Sequence, residues 1–217
     1  MKKLLCLLLC TPAVLLLFYG CSQDGLTSRV SEYRSAIYTA EADGASLTAF
    51  CSEREYPYAA DGVPAETGEV FEVRASLPDN TLTYTLTFEA GGKTRGGEMN
   101  YDSVKQQFIF SESDCPDEES LNFTIAAEGE GAPVYTFKAE RAQGGLALSD
   151  LLNKVSESGK DELQTFSGEK FNGEIYVRFM VQGENRYYYV GFIDRSGNCL
   201  AFLTDADTGE VLATKRP

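Results

Sequence analysis

Apolar and polar residues alternate along much of the chain from residue 46 onward, with the two-residue period of half-buried β-strands. The cleanest alternation runs over 81–88, where leucine, tyrosine and phenylalanine alternate with threonine. Glycine-containing turns at 90–92 and 128–131 each join two segments, as in β-hairpins. The remaining segments with strand character in this region are 46–51, 71–75, 93–100, 107–112, 121–127 and 133–140.

Seven or eight short strands at near-regular spacing predict an antiparallel β-sandwich of immunoglobulin-like architecture over residues 29–142. Residues 29–41 are expected to form a short helical turn that leads into the first strand. The chain contains no tryptophan, so a hallmark of true immunoglobulin domains is missing. The pattern therefore predicts the architecture, within a fold that is mainly β, and not membership of that family.

The pattern changes at 143–145, a Gln-Gly-Gly sequence that predicts a domain boundary. Apolar residues then follow the i, i+3, i+4, i+7 spacing of one helical face, with Ser149 as the expected N-cap and Gly159 as the expected end. These apolar residues are Leu148, Leu151, Leu152 and Val155. Strand alternation returns in 174–181, 187–193, 199–203 and 210–214. One helix packed on a four-stranded antiparallel meander predicts a small α+β domain over 146–217.

The first residues have the layout of an export signal. Lys2 and Lys3 precede an apolar run over 4–18, and Gly20-Cys21 closes the run before the chain turns polar. The run is shorter than the roughly 20 apolar residues of a membrane-spanning helix. We therefore expect residues 1–20 to be a signal peptide, with an uncleaved anchor and simple secretion as the alternatives.

The sequence Leu-Phe-Tyr-Gly-Cys at 17–21 resembles the lipobox of bacterial lipoproteins, in which a small residue precedes the modified cysteine. The residues that match are Gly20 and Cys21. The resemblance implies cleavage before Cys21 and lipidation of that cysteine, with acyl chains such as palmitate. It also implies a lipid-anchored location at the extracytoplasmic face of the cell membrane. The short, polar, glycine-containing sequence that follows suits a tether over 21–28.

A second resemblance lies at the other end of the chain. The sequence Asp-Ala-Asp-Thr-Gly-Glu-Val-Leu at 205–212 is similar to the closing turn and strand of PepSY-type domains, secreted bacterial modules in which a helix packs on a small antiparallel sheet. Such domains are not catalytic. The resemblance implies a protein-binding role for residues 146–217.

Charge and composition exclude several classes of partner and of catalytic site. The chain has 19 basic and 33 acidic residues; loss of 1–20 removes Lys2 and Lys3, which leaves 17 basic residues and a formal charge of −16. A surface of that sign repels nucleic acid and anionic lipid headgroups. The chain has no histidine, which excludes Ser-His-Asp and Cys-His nucleophiles and histidine-ligated metal sites. We therefore expect no cofactor, no metal and no nucleic-acid partner.

Three cysteines lie in the predicted mature body: Cys51, Cys115 and Cys199. They form no Cys-x-x-Cys pair, so neither a thioredoxin-like dithiol nor a zinc ribbon is indicated. Cys51 and Cys199 stand in strand-like alternation beside apolar residues, which favours buried, reduced side chains over a disulfide. Disulfide pairing among the three cysteines stays open.

Two acidic segments suggest cation binding, each with a simpler interpretation. Asp205 and Asp207 resemble the start of a calcium loop, but no bidentate glutamate follows at the right distance. A hairpin turn capped by an aspartate is the favoured interpretation. Acidic residues also crowd 112–119 around Cys115-Pro116, a composition typical of a solvated, mobile connection.

Two further groups suggest ligand binding or catalysis. The tyrosines at 187–189, together with Tyr176, predict an aromatic platform for peptide or sugar, although one face of that strand must be core. Glu53 and Glu55 form a carboxylate pair of the kind that glycosidases use. Acidic residues are so abundant that such a pair arises by chance, so we predict no catalytic residue.

These patterns favour a non-enzymatic binding or interaction module at the outer face of a bacterial membrane, with an envelope protein, a peptide or a glycan as its partner. The alternative is a carboxylate-dependent hydrolase of the cell envelope. A solute-binding subunit of an importer is disfavoured, because such proteins usually need two α/β lobes and helices are scarce here.

Overall fold

The computed structural model describes residues 24–57, 59–168 and 170–217. Within them the elements in chain order are α1 (Asp24–Thr27), β1 (Val30–Ala42), β2 (Ala45–Glu55), β3 (Thr67–Ser76), β4 (Tyr84–Ala90), β5 (Lys93–Glu98), β6 (Asn100–Asp102), β7 (Gln107–Glu112), β8 (Ser120–Ala127), β9 (Val134–Gln143), α2 (Leu148–Ser158), α3 (Lys160–Ser167), β10 (Glu174–Gln182), β11 (Asn185–Ile193), β12 (Cys199–Asp205) and β13 (Val211–Lys215). The predicted mainly β fold is confirmed.

Strand β1 is the branch point of the sheet. Along one edge it pairs antiparallel with β2. Along the other edge its first part pairs parallel with β10, and its second part pairs antiparallel with β9. A register shift after Arg34 separates the two parts. One strand therefore joins the two halves of the chain.

Two branches continue from this point. The helical side carries the antiparallel series β10-β11-β12-β13. The other side continues as β9-β8-β4-β5 in one direction and as β2-β3-β7-β6 in the other. Because β5 and β6 are consecutive in the chain, this part of the sheet curls until it nearly closes on itself. The immunoglobulin-like sandwich and the division into two domains are not confirmed, since one hydrogen-bonded sheet connects all thirteen described strands.

The buried apolar residues form two clusters. The first fills the curled part of the sheet and includes Phe71, Phe88 and Phe123. The second lies between the helices and β10–β12 and includes Leu151, Leu152 and Val155, which the sequence pattern assigned to the helix. Helix α2 therefore packs on the antiparallel sheet as predicted.

The ends of α2 differ in part from the expectation. The helix begins at Leu148 with Ala147 as its N-cap and no side-chain cap, so Ser149 lies inside the first turn. Gly159 ends the helix as predicted, and its N–H donates to the carbonyl of Val155 at 2.8 Å. A Cβ at Gly159 would lie 2.5 Å from the ring of Phe202, which explains why glycine suits this position.

Three local features were predicted wrongly or missed. Residues 30–42 are strand throughout, so the helical turn expected within 29–41 does not form there. Helix α3 was missed because it is short and polar and has no fully buried side chain. In the expected tether, Asp24–Thr27 forms a helical turn, and Leu26 packs against the second cluster. None of the described helices has the length and hydropathy needed to span a membrane.

Candidate functional site

Four arginines lie on one face of the sheet, on the neighbouring strands β10, β1, β2 and β3. The register places Arg34 opposite Arg178, and it places Glu32 opposite Arg54. Opposed side chains project from the same face of a sheet, so these charges come together. We call this surface the arginine face. It consists of Arg34, Arg54, Arg74, Arg178, Glu32, Glu72, Phe50 and Tyr176.

Glu32 bridges two of these arginines. Its carboxylate lies 2.6 Å from Nη2 of Arg178 and 3.6 Å from Nη2 of Arg34. The Glu32 side chain is only 5 % exposed. Such a buried carboxylate needs charged partners to offset its lost hydration, and Arg178 is its closer one.

Glu72 bridges the other two arginines. Its carboxylate lies 2.9 Å from Nη2 of Arg54 and 2.5 Å from Nη2 of Arg74. Burial works to raise the pKa of Glu72, but the charges and hydrogen bonds of Arg74 and Arg54 together bring it below the ordinary value. Glu72 therefore stays ionised and holds both guanidinium groups in place.

Phe50 forms the floor under two of the arginines. Its side chain is buried, and the guanidinium carbons of Arg34 and Arg74 lie 4.0 Å and 4.7 Å from the ring centroid. These distances are in the range of cation–π contacts. The aromatic ring thus supports the guanidinium groups, which form the outer layer of the face.

Arg34 is the least satisfied of the four. Its side chain is 15 % exposed, and its buried Nε has no hydrogen-bond partner among the described residues. Burial lowers the pKa of Arg34 to about 10; the charge of Glu32 opposes this, and the like charges of Arg178 and Arg74 add to it. A buried donor without a partner is uncommon in folded proteins. Arg34 therefore has a hydrogen-bond donor that no described residue satisfies.

The charge of the arginine face is opposite to that of the chain. Its arginines and glutamates sum to +2, whereas the whole chain carries −14. A local field of this sign attracts an anionic group to the sheet surface. A Glu-x-Arg sequence occurs at 32–34 and at 72–74, which places a glutamate and an arginine on one face of each strand, but it does not show that the two strands share that face of the sheet.

The predicted tyrosine platform is only partly present. Tyr188 is buried in the second cluster, while Tyr187 and Tyr189 lie half-buried on the opposite face of β11. The ring of Tyr176 stacks on that of Tyr189, with centroids 5.8 Å apart, and Arg178 lies 4.6 Å from the Tyr176 centroid. These contacts cover aromatic surface that a sugar would need. The tyrosines extend the arginine face and do not form an open stacking platform.

The segment 56–66 follows β2, and at Gly62 it packs against the backbone of Asp194 and Arg195. Within the described part of 56–66, Tyr56 is 92 % exposed and Val63 is 49 % exposed. Buried carboxylates fix this segment: Glu55 accepts from the N–H of Ala59 at 3.3 Å, and Glu174 accepts from the N–H of Gly62 at 3.2 Å. The segment therefore presents an aromatic side chain to solvent from a fixed position.

The two glutamates of the predicted carboxylate pair differ in burial. Glu53 is exposed, whereas Glu55 is buried with Glu174 as its acidic neighbour. Burial raises the pKa of Glu174, and the charges of Glu55 and Asp61 add to this effect. Neither Glu55 nor Glu174 lines the cleft of about 570 Å³ between α3 and the start of β12. Their role in the described structure is to hold the 56–66 segment.

Asp205 caps its turn, as the hairpin interpretation predicts. Its Oδ1 accepts from the N–H of Asp207 at 3.0 Å and from the N–H and hydroxyl of Thr208, both at 2.8 Å. The carboxylate of Asp207 pairs with Arg186 at 2.7 Å. Both carboxylates are therefore engaged within the protein, Asp205 by the turn and Asp207 by Arg186.

The acidic loop at 112–119 is attached to the sheet at several points. The hydroxyl of Tyr38 donates to the carbonyls of Pro116 and Glu118, at 3.3 Å and 2.8 Å. Arg95 donates to the carbonyl of Asp114. The carboxylate of Glu118 accepts from the N–H of Gly91 at 2.6 Å. The expected mobile connection is instead a loop with many anchors.

The predicted lipidation site, Cys21, lies outside the described residues. Comparison with known proteins gives no further guide to identity, since no protein-family model, curated protein or solved structure matches the chain. The likeness of 205–212 to PepSY-type domains thus stays a prediction. The arginine face is the feature of the described structure that points most directly to a ligand.

Proposed function

We propose that the protein is a non-enzymatic binding module, lipid-anchored through Cys21 at the outer face of a bacterial membrane, whose arginine face binds carboxylate groups of an envelope protein or peptide. The observation that carries this proposal is the net positive, aromatic-floored surface on an acidic chain. Its central residue, Arg34, has an Nε with no hydrogen-bond partner in the part of the chain that the structure describes.

The chemistry of the face favours a carboxylate. A guanidinium group presents a planar fork of donors that matches a carboxylate with two parallel hydrogen bonds. The acidic remainder of the chain repels ligands with many negative charges, so the partner carries one or a few carboxylates and not a long anionic backbone. Acidic motifs of proteins are commonly recognised by arginine clusters.

The exposed Tyr56 favours a protein or peptide over a glycan. Tyrosine and arginine are enriched among the residues that contribute most to protein interfaces. Here Tyr56 directly follows β2, two positions after Arg54, and its side chain is exposed. The face and the 56–66 segment together offer charged contacts beside an aromatic one.

The proposal includes the location of the protein, which is the outer face of the membrane. The leader at 1–20, the Gly20-Cys21 match and the polar residues after it support a lipoprotein. Intact mass of the protein extracted from membranes tests it. A mass that corresponds to a chain beginning at diacylated Cys21 supports lipid anchoring at that cysteine, and retention of 1–20 contradicts it.

The finer organisation of the chain also belongs to the proposal. Two structural units, a curled or sandwich-like β unit over 29–142 and an α+β unit over 146–217, are supported by the two separate core clusters. Strand β1 and residues such as Phe50 contribute to both sides of the division. The immunoglobulin-like description of the first unit rests on strand number and spacing alone.

Capture from solubilised envelopes tests the binding function. Wild-type protein, Arg54→Gln and Lys93→Gln are immobilised, and captured proteins are identified by mass spectrometry. Lys93 is exposed on β5 and lies outside the arginine face, so its substitution is a control for the loss of one positive charge. We expect a partner that Lys93→Gln retains and that Arg54→Gln loses at least in part.

The chemistry of the captured partner provides the second test. Conversion of its carboxylates to amides should abolish rebinding to the wild-type protein. Equal capture by both variants, unchanged rebinding after amidation, or recovery of glycan alone would each contradict the proposal.

One observation favours the alternative function, a carboxylate-dependent hydrolase of the envelope. The raised pKa of Glu174 beside Glu55 has the character of a general acid. That function requires substrate to reach carboxylates that the 56–66 segment covers. Envelope hydrolysis by the wild-type protein that disappears in Glu174→Gln would favour the hydrolase over the binding module.

A further inference from the structure

Cys51 and Cys115 come together although they are far apart in the sequence. Cys51 lies on β2 with its side chain in the first core cluster, and Cys115 packs against the same cluster from the loop after β7. The thiol of Cys115 lies 3.6 Å from the carbonyl oxygen of Val70. Val70 is the register partner of Ser52, the residue next to Cys51. The two side chains thus occupy one site between the loop and the β2–β3 pair.

The loop around Cys115 is held on both sides of the cysteine. Arg95 binds the carbonyl of Asp114 on one side, and the hydroxyl of Tyr38 binds the carbonyls of Pro116 and Glu118 on the other. These contacts fix the backbone that carries the Cys115 thiol. The approach of Cys115 to Cys51 is therefore a feature of the folded loop.

The third cysteine of the mature body has a different partner. The Cys199 thiol lies 3.3 Å from the hydroxyl of Tyr176, on strands of the helical branch. Cys199 belongs to β12, which pairs with β11 and β13, whereas Cys51 belongs to β2. Cys199 is therefore an internal control for a thiol that has no neighbouring cysteine among the described residues.

We propose that Cys51 and Cys115 are a thiol pair that closes to an intramolecular disulfide when the folded chain meets a disulfide oxidant. The Cys115 sulfur, which is partly exposed, first attacks the oxidant and forms a mixed disulfide, with release of one thiol. The Cys51 sulfur then attacks the Cys115 sulfur and releases the second thiol. The two cysteines lose two protons and two electrons, and the oxidant's disulfide is reduced to two thiols.

Access, and not ionisation, sets this order of steps, because Cys51 is buried and Cys115 is partly exposed. The thiol–thiol contact and burial both raise the pKa of Cys115, while the same contact lowers the pKa of Cys51. A thiolate is the nucleophile in disulfide exchange, so the raised pKa of Cys115 makes its attack on the oxidant the slow step. Once Cys115 carries the mixed disulfide, Cys51 is positioned to resolve it.

Peptide mapping of the full-length protein tests the proposal. The purified, reduced and folded chain is incubated with oxidised glutathione; free thiols are then blocked with N-ethylmaleimide in denaturant, and the chain is digested with trypsin without reductant. Cys51, Cys115 and Cys199 fall in separate peptides, 35–54, 106–138 and 196–215. We expect 35–54 linked to 106–138, with a mass about 2 Da below the sum of the reduced peptides.

Cys199→Ser is the matched variant and should keep the linked species. Cys115→Ser should lose it and leave Cys51 blocked by N-ethylmaleimide. Blocked or glutathione-bearing Cys51 and Cys115 in the oxidised wild-type protein would overturn the proposal, as would a link from either one to Cys199 or to a second chain. The wild-type result decides the matter even if a variant fails to fold, and it does not depend on what the arginine face binds.

Discussion

At the scale of single residues, the buried charges divide into two kinds. Glu72 lies within 3 Å of two guanidinium groups, and its surroundings stabilise its charge. Arg34 has one distant ion pair, a buried Nε without a partner among the described residues, and two like charges nearby. Residues that fit their surroundings poorly are commonly retained for function at some loss of stability. The two kinds of residue therefore predict opposite effects of neutralisation.

Substitution of Arg34→Met is expected to leave the free energy of unfolding unchanged or to raise it by up to about 2 kcal/mol, because a buried charge is replaced by an apolar side chain of similar length. Glu32 keeps its closer partner, Arg178. Urea unfolding at neutral pH measures the change. A loss above about 2 kcal/mol would show that Arg34 is a structural residue.

Substitution of Glu72→Gln is the matched contrast. It leaves Arg54 and Arg74 without their shared carboxylate, and we expect the free energy of unfolding to fall by about 2 kcal/mol. This is less than the roughly 3–5 kcal/mol lost when a fully buried ion pair is broken, because both arginines keep some exposure. The same urea experiment measures it. A loss no greater than that of Arg34→Met would contradict the division of the face into satisfied and unsatisfied charges.

The buried carboxylate of Glu174 predicts a pH dependence. Its pKa is raised above the ordinary 4.5, chiefly by burial, so the folded chain holds a proton at pH values where the unfolded chain has lost it. Its contribution to stability is therefore present below pH 4.5 and is lost as the pH rises through the folded-state pKa. Urea midpoints between pH 4 and pH 7 should fall less steeply in Glu174→Gln than in the wild type.

An exposed glutamate provides the control for this measurement. The same substitution at Glu98, which is exposed on β5, removes a carboxylate without removing a buried one. Glu98→Gln should keep the wild-type slope. If Glu174→Gln also keeps it, the assignment of this pH dependence to Glu174 is wrong.

At the scale of the elements, the segments with regular alternation were predictable. The positions of β3, β7, β8 and β10–β12 follow the two-residue period, and α2 follows the helical spacing of its buried residues. Helix α3 was not predictable in this way, since Leu163 and Phe166 are only partly buried and the rest of its surface is polar. Periodicity identifies an element when one face is fully buried, and it fails when neither face is.

The packing of α2 on the sheet predicts an unequal response of two leucines in the same helix. Leu151 is fully buried in the second cluster, whereas Leu148 is only partly buried at its edge. Leu151→Ala should lower the free energy of unfolding by about 3 kcal/mol, and Leu148→Ala by about 1 kcal/mol. Thermal or urea unfolding checks the difference. Equal losses would contradict the docking of α2 through its Leu151 face.

At the scale of the whole molecule, the decisive contacts join distant parts of the sequence. The parallel pairing of β1 with β10 places Glu32 beside Arg178, which lies 146 residues further along the chain. Local patterning carries no record of which strands become neighbours, so neither the single connected sheet nor the arginine face could be predicted from it. The contact between Cys51 and Cys115 could not be predicted from local patterning either, because the two cysteines lie far apart in the sequence.

The molecule thus places a small positive surface on a strongly acidic body. The net charge of the chain gives no indication that one face of the sheet is positive, because the four arginines of that face come from four different strands. Local reversals of this kind direct a partner to one face and discourage binding elsewhere.

The most direct measurement is an NMR titration that follows the side-chain Nε–H signals of the arginines. The probe is a short peptide with one glutamate and a free C-terminal carboxylate, and its control is the glutamine analogue with an amidated C-terminus. We predict that the Arg34 signal moves with the carboxylate peptide and not with the neutral one, because a carboxylate bound to the arginine face places a negative charge beside the Arg34 guanidinium group. An unchanged Arg34 signal, or equal movement with both peptides, would contradict the account.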